Sequence, residues 1–322
     1  MIYTVTLNPA IDYVVHMDRL ALDEINRSTS ENIYFGGKGI NVSLVLKELG
    51  IPSVALGFVA GFTGLAIEEE VKKAGIETDF VRLKEGYSRI NVKIRAAGET
   101  DINGQGPLVS NEALEEFYKK LEQLKDGDVL VMAGSIPASL PADMYEKILE
   151  YIRDKKVSAV VDATGELLLR VLKYKPFFIK PNHHELGELF KVTIETREDA
   201  IKYAKKLQGL GARNVLVSMA ELGAVLVCEN DEVYACDACE GEVCNTVGAG
   251  DSMVAGFLAG LYGADICCED NMKMDESTMQ VSGLHTHRYE HALKLGTAAG
   301  GATAFADGLA KKEEIEQLFR TF

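Results

Sequence analysis

The sequence predicts an α/β protein, a doubly wound and mostly parallel sheet flanked by helices, with a small β-sheet lid inserted into it. Two observations predict this. Short apolar runs alternate with longer amphipathic segments through most of the 322 residues, the rhythm of βαβ units. Two polar segments without helical periodicity, 11–35 and 87–106, interrupt that rhythm.

Strand candidates, apolar and rich in β-branched residues, lie at 2–7, 53–59, 129–133, 159–162, 177–180 and 215–218. Between them, 39–49, 66–73, 111–124, 141–155 and 197–210 carry helical patterns. Right-handed crossovers make such a sheet mostly parallel, with ligands expected at the C-terminal strand ends. The interruptions contain alternating runs such as Ile90-Asn91-Val92-Lys93-Ile94, which read as half-buried strands. The expected division is a main domain of 1–10, 36–86 and 107–322, with 11–35 and 87–106 as the lid. An exposed edge hairpin is the plainer reading of the same alternation. The acidic, Met-rich stretch 263–290 exceeds a short connection and reads as a solvated loop.

Hydrophobic residues make up 47% and charged residues 26%, as in a soluble globule. A net charge of −15 argues against nucleic acid or an anionic membrane as partner. Any anionic substrate must therefore be drawn in by local basic residues. No apolar run reaches spanning length. The opening residues read as a strand without a basic n-region, so no signal peptide is expected. Six cysteines in a chain this long fit a reduced, cytoplasmic protein better than a disulfide scaffold. Cys236, Cys239 and Cys244, or Cys267 and Cys268 with His285, His287 and His291, can be drawn as zinc sites. The first set lacks a clear fourth ligand and the second is loosely spaced, so free thiols are expected.

The chemistry concentrates in Asn245-Thr246-Val247-Gly248-Ala249-Gly250-Asp251-Ser252, followed by an apolar helical run. Glycines let backbone N–H groups converge on one point, and the helix dipole adds positive potential there. An anion trap beside a carboxylate suits phosphoryl transfer to a hydroxyl. The same residues could simply cap a helix. A second glycine-rich turn, Gly36-Gly37-Lys38-Gly39-Ile40-Asn41, also precedes a helix. It offers Lys38 to a phosphate and Asn41 to sugar hydroxyls. Neither a Walker loop nor a dinucleotide fingerprint is present.

These two signatures together resemble those of the PfkB (ribokinase-like) carbohydrate kinases. Thr6-Leu7-Asn8-Pro9-Ala10-Ile11-Asp12, Ser88-Arg89-Ile90-Asn91-Val92-Lys93 and Ile102-Asn103-Gly104-Gln105-Gly106-Pro107 are similar to that family's sugar-phosphate kinases, the branch acting on fructose and tagatose phosphates. The resemblance covers essentially the whole chain apart from the late insertion. It implies an ATP-dependent kinase with Asp251 as base and Gly248, Ala249 and Gly250 as anion hole. Asp12, Gly37 and Asn41 would face the sugar, and Lys38 and Arg89 its existing phosphate. Asn91, Lys93, Asn103 and Ser135 are further substrate candidates.

Asn182-His183-His184-Glu185 matches the family's magnesium-associated spacing. There Glu185 would act on Mg²⁺ through water, and Lys180 would reach ATP phosphates. Asn182 and Glu185 could instead form only a helix-start box. Ser218, Glu221 and Gly223 resemble the family's nucleotide-binding turn, with Ala220 where relatives usually carry glycine. Asp162-Ala163-Thr164-Gly165-Glu166 reads as a structural turn.

The expected reaction is transfer of the ATP γ-phosphoryl group to fructose 1-phosphate. Tagatose 6-phosphate and fructose 6-phosphate are alternative acceptors. A non-catalytic sugar-phosphate sensor and a nicotinamide oxidoreductase are the readings from other classes. A homodimer through the lid is the expected assembly.

Overall fold

The computed structural model describes residues 1–263 and 284–322. Most of the stretch 263–290 therefore lies outside the described residues, as do the side chains of Cys267, Cys268, His285 and His287. The chain opens with β1 (Ile2–Thr6), then β2 (Ala10–His16) and β3 (Ser30–Gly36), followed by α1 (Lys38–Glu48). Next come β4 (Ser53–Ala60), α2 (Gly61–Lys73), β5 (Glu77–Thr78), β6 (Val81–Leu83), β7 (Arg89–Arg95) and β8 (Glu99–Asn103). The βαβ rhythm then runs through α3 (Asn111–Leu121), β9 (Val129–Ala133), α4 (Met144–Tyr151), β10 (Ser158–Asp162), α5 (Gly165–Val171) and β11 (Phe178–Ile179). It continues with α6 (His183–Phe190), α7 (Arg197–Leu210) and β12 (Asn214–Ser218), before the hairpin β13 (Ala224–Val227) and β14 (Val233–Cys236). Three helices close the fold: α8 (Ala249–Tyr262), α9 (Leu284–Phe305) and α10 (Lys312–Phe319).

The main sheet has the order β14-β13-β12-β11-β10-β9-β1-β4-β5, with β6 also on β4. Every pairing from β12 to β4 is parallel, and the β13 and β14 edge is antiparallel. The chain winds outward from β1 to β4 and then returns to build the other wing from β9. Strand order therefore reverses at β1, the place where such sheets open a crevice.

Alternation along each strand feeds two cores. In β9, Leu130 and Met132 pack beneath α3, α4 and α7, while Val129 and Val131 face α1, α8 and α9. Helix α8 is buried from Asp251 to Gly260, which is why its sequence is apolar all round rather than striped. Its ring Phe257 stacks on Phe178 of β11 at 4.1 Å. Against α9 the two backbones touch: a Cβ at Gly256 would lie 2.6 Å from the Leu295 carbonyl oxygen, and one at Gly260 2.6 Å from Ala292 Cα.

A second sheet, β3-β2-β7-β8, stands apart from the first. Its register puts Tyr34, Asp12, Asn91 and Asn103 in one row and Ile33, Tyr13, Val92 and Ile102 in the adjacent row. Because successive side chains point to opposite faces, one face is polar and the other apolar.

Several expectations shift. Helix α2 begins at Gly61, five residues before the periodic pattern does, because a glycine at φ 58° turns the chain straight out of β4. The 141–155 pattern shortens to α4, since Pro141 and its neighbours form turns that lead into the helix. The edge hairpin β13 and β14 was absent from the sequence-based strands; its strands are only four residues each.

Candidate active site

The C-terminal ends of β1, β10 and β11 meet the N-termini of α1 and α8 at the strand-order reversal. Gly248 is the N-cap of α8 at φ 84°, a left-handed conformation that glycine adopts without steric cost. Asp251, in the first turn, is buried at 4% exposure. Its Oδ2 accepts a hydrogen bond of 2.8 Å from Asn41 Nδ2, in the first turn of α1. The Thr6 hydroxyl at the end of β1 accepts the Ile40 N–H at 2.9 Å and so fixes α1 to the sheet.

Beside Asp251 lies a second carboxylate, Asp162, at the end of β10 and equally buried. Lys38 Nζ donates to its Oδ2 at 3.0 Å, and Lys180 Nζ stands 3.9 Å from Oδ1. Gly250 leaves room for that ammonium, since a Cβ there would lie 3.1 Å from Lys180 Nζ. Burial opposes ionisation of Asp162, but Lys180 and Lys38 outweigh it and hold the carboxyl below its usual range. Asp251 goes the other way. Burial and then the Asp162 charge push it up to about 7, against Lys38, Asn41 and Lys180. Lys38 is stabilised in its charged form: Asp162 and Asp251 more than offset its burial.

The environment thus splits two carboxyls. One is held as an anion between two lysines, and the other is poised to exchange a proton near neutral pH. Pairs of titratable groups separated in this way are a mark of acid–base sites.

On the side toward the small sheet, Asn91 Nδ2 donates to Asp12 Oδ1 at 2.7 Å, and its Oδ1 accepts the Gly104 N–H at 3.2 Å. Arg89 Nε donates to the Asn8 carbonyl at 3.1 Å. Burial lowers the pKa of that guanidinium, against the pull of Asp12. Lys93 instead pairs with Asp101 at 3.1 Å. Lys38 and Lys93, both expected on the substrate phosphate, are therefore already matched to carboxylates, whereas the described bond of Arg89 is to a carbonyl. Gly37 is the N-cap of α1. Asn103 and Ser135 are exposed, and Ser135 follows the β9 end without a described side-chain hydrogen bond.

On the opposite side, Asn182 and Glu185 form a capping box, each side chain taking the other's backbone N–H at 2.8 Å. The box occupies Glu185 Oε2, and the Glu185 charge adds to those that keep Lys38 protonated. Ser218 bridges to Asn182. Exposed Glu221 lies in the short turn Ala220–Leu222, and Gly223 follows at φ 78°. Ala220 itself sits at φ 48°, a left-handed conformation that disfavours a Cβ.

Asp162, read from sequence as a structural turn, is the residue that reasoning missed. The available signal was a carboxylate ending a buried strand on the ligand-facing edge of the sheet. Cys228, Cys236, Cys239 and Cys244 are free thiols. Among the described residues no three His, Cys, Asp or Glu side chains cluster as metal ligands, and no helix is long and apolar enough to cross a membrane.

The pfkB family of carbohydrate kinases matches residues 5–315. The chain is 45% identical over 318 residues to a 1-phosphofructokinase of Bacillus subtilis (strain 168), covering 99% of this chain and 97% of the relative. It is 36% identical over 318 residues to a D-tagatose-1-phosphate kinase of Bacillus licheniformis, covering 98% and 97%. The crystal structure of a candidate phosphofructokinase from Staphylococcus aureus superposes with a TM-score of 0.82 at 38% identity, covering 99% of this chain and 97% of that one.

Proposed function

Because the chain belongs to the pfkB family of carbohydrate kinases, with a ribokinase-like fold, we propose that it transfers the γ-phosphoryl group of ATP to the 6-hydroxyl of fructose 1-phosphate. The observation that carries this reading is Asp251, a buried carboxyl near neutral pKa at the glycine-rich N-terminus of α8. Its proton affinity lets it take the hydroxyl proton as the new P–O bond forms. The Gly248, Ala249 and Gly250 backbone, with Lys180 beneath Gly250, then faces the charge of the migrating group.

Asp12 and Asn41 would hold the sugar hydroxyls, with Asn91 fixing Asp12 in place. Arg89 is the best-suited anchor for the phosphate already on the substrate, since its Nε is braced on a carbonyl and its charge is unpaired by any described carboxylate. Such a phosphate carries about two negative charges, and charge-assisted bonds offset its desolvation. Lys93, Asn103 and Ser135 lie farther from this role.

Ser218, Glu221 and Gly223 form the nucleotide turn, with Asn182 and Lys180 toward the phosphates. Glu185 suits Mg²⁺, because the capping box engages only one of its carboxylate oxygens and Mg²⁺ favours few protein ligands with retained water. When bound, that ion would neutralise phosphate charge.

The 45% identity to a 1-phosphofructokinase supports a C1 phosphate on the acceptor, while relatives named for tagatose 1-phosphate and tagatose 6-phosphate make the phosphate position and the C4 configuration the points to test. Initial rates with magnesium–ATP should be highest on fructose 1-phosphate, with tagatose 1-phosphate, tagatose 6-phosphate and fructose 6-phosphate at least tenfold lower in kcat/KM. A dominant rate on tagatose 1-phosphate would move the substrate and keep the chemistry. Sugar-phosphate binding without turnover on any of them would favour a sensor.

The apolar face of the small sheet supports a homodimer. Ile33 and Ile102 are more than half exposed there, and a second copy offers an identical apolar row. Ile102→Lys should leave folding intact and convert a dimer to monomer in sedimentation velocity. A wild-type monomer at micromolar concentration would remove this assembly.

A further inference from the structure

We propose that Arg197 is a positioning residue for nucleotide binding, holding the turn around Ala220–Leu222 against the chain that runs from β14 toward the N-terminus of α8. The proposal rests on reading that turn as part of the nucleotide site. Arg197 is the first residue of α7, followed by Glu198 and Asp199. The helix dipole favours those acids and disfavours a cation in the same turn. A residue placed against local preference points to a use elsewhere.

The side chain of Arg197 bridges two separate segments. Its Nε and Nη2 donate to the Leu222 carbonyl at 2.9 and 2.7 Å. Nη2 also donates to the Cys236 carbonyl at 3.2 Å and to Asp237 Oδ1 at 2.6 Å. One planar fork reaches a carbonyl on each segment, a geometry that an ammonium does not reproduce.

The joint beneath it is tight. A Cβ at Gly223 would lie 2.1 Å from the Cys236 carbonyl oxygen and 2.6 Å from the Asp237 carbonyl carbon. Ala220 is kept at φ 48° in the same turn. A backbone conformation of this kind persists where its surroundings over-determine it, and Arg197 supplies two of the bonds that do so. The first segment carries Ser218, Glu221 and Gly223. The second continues to Gly248 and Asp251. Arg197 thus sets the spacing between the nucleotide turn and the anion trap without touching either ligand.

The Arg197 side chain is half-buried and its one carboxylate partner, Asp237, is exposed, so that ion pair adds little to global stability and the loss of the fork should be read in nucleotide affinity. In Arg197→Ala and Arg197→Lys, KM for ATP should rise about tenfold, with kcat and KM for the sugar phosphate within about twofold of wild type. Calorimetric affinity for ADP should fall by the same factor as KM rises. Asp237→Asn, which keeps both carbonyl contacts, should stay within about twofold on every parameter. Unchanged ADP affinity in a folded Arg197→Ala protein would overturn the proposal. Equal losses for both substrates would do the same, because they indicate a general structural role. Wild-type protein that binds no ADP would overturn the nucleotide reading itself, and that result is visible before any variant is made.

Discussion

Asp251→Asn should lose about a thousandfold in kcat and at the same time melt at a higher temperature. The loss follows from removing the proton acceptor, a contribution of about 10²–10⁴ for a positioned base. Binding should persist within a few-fold, because the amide fills the same volume and still accepts from Asn41. The gain in stability follows from the raised carboxyl. Its pKa of about 7 in the folded state stands above the ordinary carboxylate value. The native state therefore binds this proton more tightly than the unfolded chain does, and the carboxyl costs stability as pH rises from about 4 toward 7. At neutral pH that cost is on the order of 4 kcal/mol, and the amide does not incur it. The variant's advantage in Tm should be largest above pH 7 and shrink toward pH 4. The wild-type profile of kcat/KM against pH should fall on the acid side with a midpoint near 7. A variant that turns over normally, or a profile flat down to pH 5, would remove Asp251 from the proton transfer.

Asp162→Asn should act in the opposite sense on stability. Lys180 is nearly as deeply buried as its partner, and the substitution takes away the carboxylate paired with that buried cation. Breaking such a pair costs about 3–5 kcal/mol, enough to lower Tm by roughly 5–10 °C. Because the Asp162 carboxyl is held below its usual range, its stabilisation is present at neutral pH and disappears as pH falls through its folded value. Wild type and variant should therefore converge in acid. A second signature separates this from plain destabilisation. The Asp162 charge helps push Asp251 up, so its removal should shift the acid limb of kcat/KM to lower pH. Thermal melts and pH profiles on the same preparation test both parts. An unmoved limb in a folded variant would mean that Asp162 does not set the proton affinity of Asp251.

What could be read from the chain depended on how local the determining forces were. Strand β9 and helix α7 match the sequence expectation to the residue, since each carries its own pattern and is bounded by its own turn or cap. Thr196 caps α7 by accepting the Asp199 N–H. Helix α2 was only partly visible, because Gly61-Phe62-Thr63-Gly64 has no periodicity and its start is fixed by backbone conformation. In the candidate site, motif residues such as Asp251 and Asn41 could be named from the sequence, but their contact joins positions 210 residues apart. Asp162 looked like a turn residue because its importance comes from Lys38 and Lys180, which reach it from other strands and helices. Arg197 carried no motif at all; its partners are main-chain carbonyls, which sequence does not distinguish.

The glycine contacts between α8 and α9 bear on how this protein can change over generations. Gly256 lies five residues beyond Asp251 on the same rigid rod, about 7.5 Å along its axis. With only 2.6 Å between a Cβ placed there and the Leu295 carbonyl oxygen, the rod has no slack in which to shift. An added methyl group at Gly256 must tilt or slide the whole helix and carry the carboxylate with it. The interior small-residue seam therefore acts as a ruler for the reactive end. A substitution along that seam would therefore be felt at the carboxylate, although no residue in it is placed against a substrate.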